Sequence, residues 1–151
     1  MYGSSSAALL DVSGATTNNG SISITTDTEE LAGAVGGKGS FSLNGANLRF
    51  DSSVSAGQTI NESGANGLIL EQAQSFAGTV SGFGPGGTID ATNFLLSGTT
   101  FNFVENSGGT GGTLTLQDGS LTANIHLTGS YAKSDFALAP DHGTGTLVKF
   151  V

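Results

Sequence analysis

Three carboxylates recur at a spacing that could do chemistry. Asp51, Glu71 and Asp90 each follow an apolar residue, in Leu48-Arg49-Phe50, Leu68-Ile69-Leu70 and Thr88-Ile89, and Phe50, Leu70 and Ile89 are separated by 20 and 19 residues. If those apolar residues stack inward on successive turns of a coil, the carboxylates fall side by side outside, about 4.8 Å apart. Like charges at that distance repel unless something neutralises them. A hard cation such as Ca²⁺, which takes carboxylate and carbonyl oxygens, is one candidate. Arg49, outward by the same alternation, is the other. Asp51, Glu71 and Asp90 are thus the candidate metal ligands and Ca²⁺ the candidate cofactor, although neither an EF-hand loop nor a Gly-Gly-x-Gly-x-Asp nonapeptide occurs.

Other motifs read as structure. Gly82-x-Gly84-x-x-Gly87 spells a dinucleotide fingerprint, but Pro85 lies inside it, and the β-prone Thr88-Ile89-Asp90 follows where a helix would have to receive the pyrophosphate. In Gly33-Ala34-Val35-Gly36-Gly37-Lys38-Gly39-Ser40 the first glycine is one residue late for a phosphate-binding loop, and Gly39 stands where a hydroxyl should bind magnesium. His126 and His142, the only histidines, lack zinc-ligand spacing. Asp141-His142 has serines elsewhere in the chain but no Gly-x-Ser-x-Gly elbow. No catalytic residue is expected, and the chain reads as a non-enzyme.

Composition narrows the partners. The 151 residues fit one domain, and 25 glycines with only 11% charged residues point away from helical and mixed α/β classes. The net charge of -8 comes from 12 acidic and 4 basic side chains. Lys38, Arg49, Lys133 and Lys149 are scattered singly, so no patch neutralises several phosphates: nucleic acid is not an expected partner, and an anionic membrane would be repelled. No apolar run approaches the roughly 20 residues of a membrane-spanning helix. Cysteine is absent, and the first ten residues lack the basic and long apolar regions of a signal peptide. The chain therefore reads as a piece of a longer protein.

The elements that must position these residues come from a weak repeat. Short β-prone segments begin after glycine: Ser21-Ile22-Ser23-Ile24, Ser40-Phe41-Ser42-Leu43, Gln58-Thr59-Ile60, Thr79-Val80-Ser81 and Thr99-Thr100-Phe101-Asn102-Phe103. The preceding Gly20, Gly39, Gly57, Gly78 and Gly98 step by 19, 18, 21 and 20 residues, and the carboxylate-bearing series interleaves with them. This predicts an all-β fold, a parallel β-helix or β-solenoid of about twenty residues per coil, closed by a C-terminal β-hairpin. An antiparallel β-sandwich is the alternative. Residues 1–19 are expected as a flexible or capping segment, 20–105 as coils and 106–151 as the closing hairpin and cap.

In the hairpin, an Asp118-Gly119 loop would pair Gln117 with Ser120, Leu116 with Leu121, Thr115 with Thr122 and Leu114 with Ala123. Leu114, Leu116, Leu121, Ala123, Ile125 and Leu127 then form one inward row that covers the last coil around Phe101 and Phe103, and His126 faces solvent. Ser130 or Ser134 is expected to cap a short helical turn, and residues 145–151 to form a closing strand.

Several linked motifs carry a resemblance. Phe76-Ala77-Gly78-Thr79-Val80-Ser81-Gly82-Phe83-Gly84-Pro85-Gly86-Gly87-Thr88-Ile89-Asp90, Gly112-Thr113-Leu114-Thr115-Leu116, Asp118-Gly119, Ala123-Asn124-Ile125, Gly129-Ser130-Tyr131 and Ser134-Asp135-Phe136 together resemble a module repeated in very large exported proteins of alphaproteobacteria, autotransporter-like or adhesin-like chains. The resemblance spans about residues 39–150. It implies a β-rich passenger segment without catalytic residues, located extracellularly or on the bacterial surface. Relatives carry Gly-Asp where this chain has Gly86-Gly87, which removes one carboxylate from any cation site.

The expected function is therefore a non-catalytic structural or interaction module. Its partners would be other domains of the same chain or a host or neighbouring-cell surface, with end-to-end self-association as a further contact. The alternative is a carbohydrate-binding or polysaccharide-active β-helix accessory, which the absence of Trp disfavours, with tyrosine only at Tyr2 and Tyr131. Thr26-Asp27-Thr28, Thr113-Leu114-Thr115 and Thr144-Gly145-Thr146 do not recur at the coil period, so no regular threonine array for ice is expected.

Overall fold

The computed structural model describes residues 11–151. Its strands are β1 (Asp11–Val12), β2 (Thr16–Thr17), β3 (Ser21–Ile24), β4 (Thr28–Leu31), β5 (Val35–Gly36), β6 (Ser40–Asn44), β7 (Asn47–Phe50), β8 (Thr59–Ser63), β9 (Gly67–Leu70), β10 (Thr79–Ser81), β11 (Thr88–Ala91), β12 (Thr99–Glu105), β13 (Gly111–Asp118), β14 (Leu121–Thr128), β15 (Phe136–Pro140) and β16 (Thr146–Phe150). They form a β-solenoid of about 4 turns with roughly 19 residues per turn.

Each turn has three sides. One stacks β3, β6, β8 and β10 in parallel, and a second stacks β1, β4, β7, β9 and β11 in parallel. The third is short: β2 pairs with β5, and isolated bridges continue it from Val35 to Val54 to Phe76. Parallel stacking puts each inward side chain over its equivalent one turn away, so the core is a set of columns. Phe41, Ile60 and Val80 make one; Leu31, Phe50, Leu70 and Ala91 make another, all buried.

The coils are also pinned by side-chain amides. Gln58 is buried, and its Nε2 donates to the backbone oxygens of Asn18 (2.8 Å) and Gly36 (2.9 Å), while Asn18 Nδ2 donates back to Gln58 Oε1 at 3.1 Å. That reach across two turns needs the intervening turn to be bare. Gly37 provides this, with φ +93° and a would-be Cβ 2.2 Å from the Asn18 oxygen. The phosphate-loop-like glycines are therefore coil corners.

The closing segment reverses direction. β12, β13 and β14 form an antiparallel meander whose last strand pairs in parallel with β10. β16 pairs antiparallel with β11, and β15 with β16. Both main sheets thus end on antiparallel strands, seven strands in each.

In the segment 1–19, expected as flexible or capping, β1 and β2 pair with β4 and β5; its first ten residues, Tyr2 among them, lie outside the described residues. Three expectations are corrected. The fifth segment of the glycine-led series, Thr99 to Phe103, does not stack on β10; it lies at the sheet's far edge, and β14 takes that place. β14 offers Ala123, Ile125 and Leu127 as one buried row, whereas in β12 the inward row is broken by the partly exposed Phe101. The hairpin loop is Gly119-Ser120, with pairs Asp118–Leu121, Leu116–Ala123 and Leu114–Ile125. Only Gly119 has positive φ (+57°), as in a two-residue loop led by glycine. Asp118 is held back in the strand because its carboxylate accepts the Leu95 N–H at 2.8 Å. The slip moves each partner by two residues, so every side chain keeps its expected face. Finally, neither Ser130 nor Ser134 caps the 3₁₀ turn Lys133–Asp135; the Asp135 carboxylate accepts the Ala132 N–H at 2.8 Å.

Candidate functional site

Alternation gives the two main sheets chemically different outer faces. On the sheet of β4, β7, β9, β11 and β16 the outward row runs Glu30, Arg49, Ile69, Asp90 and Leu147 by register. Asp51 and Glu71 follow at the next corner, one turn apart. Arg49 lies between them, with Nε 2.7 Å from Asp51 Oδ1 and a terminal nitrogen 3.2 Å from Glu71 Oε1. The Asp51 hydrogen bond, with the charges of Glu71, Asp51 and Glu30, raises the affinity of the guanidinium for its proton against the opposing effect of burial.

Asp90 is not third in that column. Ala91, not Ile89, pairs with Leu70, so Asp90 lies beside Ile69 and Thr92 occupies the corner after Glu71. The extra residue lies between Val80 and Ala91, where the chain makes two positive-φ glycine corners at Gly82 and Gly86. Asp90 is half-buried and its Oδ1 has no hydrogen-bond partner. Burial first, then the charges of Asp141 and Glu71, push its carboxyl up to about 6, against the pull of Arg49. The charge between Asp51 and Glu71 is thus that of Arg49, the second of the two neutralising groups considered for them. Among the described residues no group of three His, Asp or Glu side chains is arranged to hold a metal ion.

The histidines are not brought into a catalytic arrangement. His126 is exposed on β14, with Nδ1 3.2 Å from Thr113 Oγ1. His142 is exposed at φ +74°, while its neighbour Asp141 accepts the Gly143 N–H at 2.7 Å.

The opposite face, on β3, β6, β8, β10, β14, β13 and β12, presents no Asp, Glu, Lys or Arg. Register aligns Ser21, Ser40, Thr59, Thr79, His126, Thr113 and Val104 in one outward row, and Ser23, Ser42, Asn61, Ser81 and Thr128 in the next. Rows lie about 6.7 Å apart along the strands and neighbours within a row about 4.8 Å apart. Ser40 Oγ donates to Ser21 Oγ at 3.3 Å and Thr115 Oγ1 to Asn124 Oδ1 at 2.9 Å, so part of the array is tied across strands. In the sequence this row is hidden because it mixes serine with threonine and because its last members come from the hairpin rather than from a coil.

One further residue went unnoticed: Glu62. It is 7% exposed, points inward from β8, and neither carboxylate oxygen has a hydrogen-bond partner. Strict alternation in Thr59-Ile60-Asn61-Glu62 was the available signal.

No known family model and no curated protein matches this chain.

Proposed function

We propose that this chain is a non-catalytic structural and interaction module, a stacked-coil passenger or adhesin segment of a secreted or cell-surface bacterial protein, which meets its partner through the uncharged sheet face. The observation that carries this reading is the segregation of charge. In a chain of net charge -8, one broad, regular face carries none of the acidic or basic side chains, and the opposite face carries Glu30, Arg49, Asp51, Glu71 and Asp90. A flat array of hydroxyls and amides suits a neutral, hydrogen-bonding surface and gives an anionic membrane or nucleic acid nothing to pair with. The resemblance to repeated modules of exported chains agrees with a role in extending and presenting such a face.

The hydroxyl and amide rows also favour a neutral saccharide as the contacted chemistry, which is the accessory-domain reading. Binding of the purified protein to a glycan array and to intact bacterial and host cells tests both. Cell binding that Asn61→Lys abolishes and Glu71→Lys leaves intact supports the module; a specific glycan with the same mutational pattern selects the saccharide. Binding unaffected by Asn61→Lys, or none to any surface, removes the proposed contact face.

A further inference from the structure

The inward column that begins with Ile24 and Leu43 continues, one turn on, with Glu62. Its carboxyl lies where the coils give way to the closing segment. The next turn offers no side chain at the equivalent place: Gly82 follows β10, and a Cβ there would lie 2.3 Å from the Glu62 backbone oxygen. Gly87 borders the carboxyl itself, with its would-be Cβ 3.1 Å from Glu62 Oε2. Gly82 thus lets the 82–87 corner lie directly on the Glu62 backbone, and Gly87 leaves room for the carboxyl that the corner covers.

That corner is held shut by aromatic rings of the closing segment. Phe83 stacks on Phe136 at 6.0 Å and meets Phe150 edge-on at 6.1 Å. Tyr131 packs on Phe136 at 5.7 Å and Phe103 at 6.0 Å, and its hydroxyl donates to the Phe83 oxygen at 2.9 Å, with the Thr128 oxygen 3.3 Å away. The groups around Glu62 are nearly free of charge. β6 presents Leu43, the 82–87 corner presents glycine and Phe83, and from the closing segment the titratable group that feels Glu62 is the Tyr131 hydroxyl. No cation is placed to pair with it among the described residues.

We infer that Glu62 is a pH-operated latch: the 82–87 corner and the Tyr131 segment close over its carboxyl when it is protonated and release it when it ionises. An ionised carboxylate without a partner cannot stay in such a place at small cost. The glycine corner lies against it, and that corner's hold on the closing segment is the aromatic cluster and the Tyr131 hydrogen bond. The coil strands beneath need not open.

The direction follows from linkage. Burial pushes the Glu62 carboxyl up from 4.5 to about 8 in the closed state. The closed state binds the proton more tightly than the open one, so closing is unhindered in acid below the ordinary carboxyl range. It weakens about tenfold per pH unit as pH rises towards 8, and levels off above that.

Amide hydrogen exchange with mass spectrometry on the intact chain, corrected for intrinsic rates between pH 5 and pH 9, reads the latch directly. Peptides covering residues 82–87 and 129–136 should lose protection about tenfold per pH unit up to pH 8, while β6 and β7 keep theirs. In Glu62→Gln, and in Glu62→Leu, which extends the apolar column, protection of those peptides should be flat with pH. Equal protection at all pH values in the unmodified chain overturns the inference. So does a slope that survives in both variants, or a loss shared equally by β6 and β7, which would report global unfolding.

Discussion

The coil stack and the closing segment build the same two sheets with opposite devices. Coil strands run two to five residues and pair in parallel with partners about one turn away. Closing strands β13 and β14 run eight residues each and pair antiparallel through a two-residue loop. A coil strand is too short to be held by its own ladder; its register comes from columns of side chains and from pins such as Gln58. The hairpin is held by local pairing and needs the coils only to cover its apolar row. A coil can therefore always accept another coil, which leaves an edge to be managed, and the antiparallel strands end the series by filling that edge with a different pattern.

The largest break in this comparison comes from the hairpin's inward row. Leu116 is fully buried between Phe101 and Ala123 in the meander. Leu116→Asp loses that burial and leaves an unpaired carboxylate inside, about 5 kcal/mol or more together, which matches the whole stability of a small domain. The variant should fail to fold, with no cooperative melt by circular dichroism and little soluble yield. Thr115→Asp, one residue away on the uncharged face, should melt within a few degrees of the parent, since a surface change without new burial costs about 0.5 kcal/mol. Equal damage by both would mean that the two faces of the hairpin are not distinguished by burial.

Gln58 sharpens the other half of the comparison. Gln58→Ala removes two donors and one acceptor from a buried network and strands the Asn18 and Gly36 oxygens, each costing about 1–3 kcal/mol if left without a partner. A loss near 3 kcal/mol is expected from denaturant unfolding. It should be preceded by early hydrogen exchange in residues 11–20, because that turn is held to the stack by the amide. The closing segment should keep its protection until the main transition.

The sequence made legible the coil period and the inward and outward faces of the Phe50, Leu70 and Ile89 series and of the hairpin, because both rest on alternation and on glycine corners that any one turn displays. Register was less legible. Asp90 and the hairpin pairs were both displaced by two residues, a slip that alternation cannot detect since it preserves faces. What set the true register lay elsewhere in the chain: the Asp118 carboxylate on Leu95, and the longer corner at residues 82–87. Replacement of Thr99–Phe103 by β14 beside β10 was beyond local reading for the same reason, since a sheet neighbour is chosen by what covers the core. Glu62 was legible by position, but a lone Glu in a strand reads as solvated until the column above it is known.

The charged face permits the finest test, because there the carboxylates share one cation. Arg49 is paired with Asp51 and Glu71 and lowers the proton affinity of Asp90, whereas Glu62 inside has no such partner. With Arg49→Ala, the Asp90 carboxyl should move further above 6. A folded-state carboxyl raised above its unfolded value destabilises once pH exceeds the unfolded value, so the part of the cost that runs through Asp90 should be largely absent at pH 4, where Asp90 is neutral in the folded chain, and present near pH 7. Because the pairs are about a third exposed, the loss at neutral pH should be small, about 0.2–1 kcal/mol, and should shrink with added salt. Melting temperatures of the two proteins at pH 4 and pH 7, in low and high salt, decide it. A deficit that persists unchanged at pH 4 would mean that Arg49 holds the coils by packing its stem and not by balancing charge.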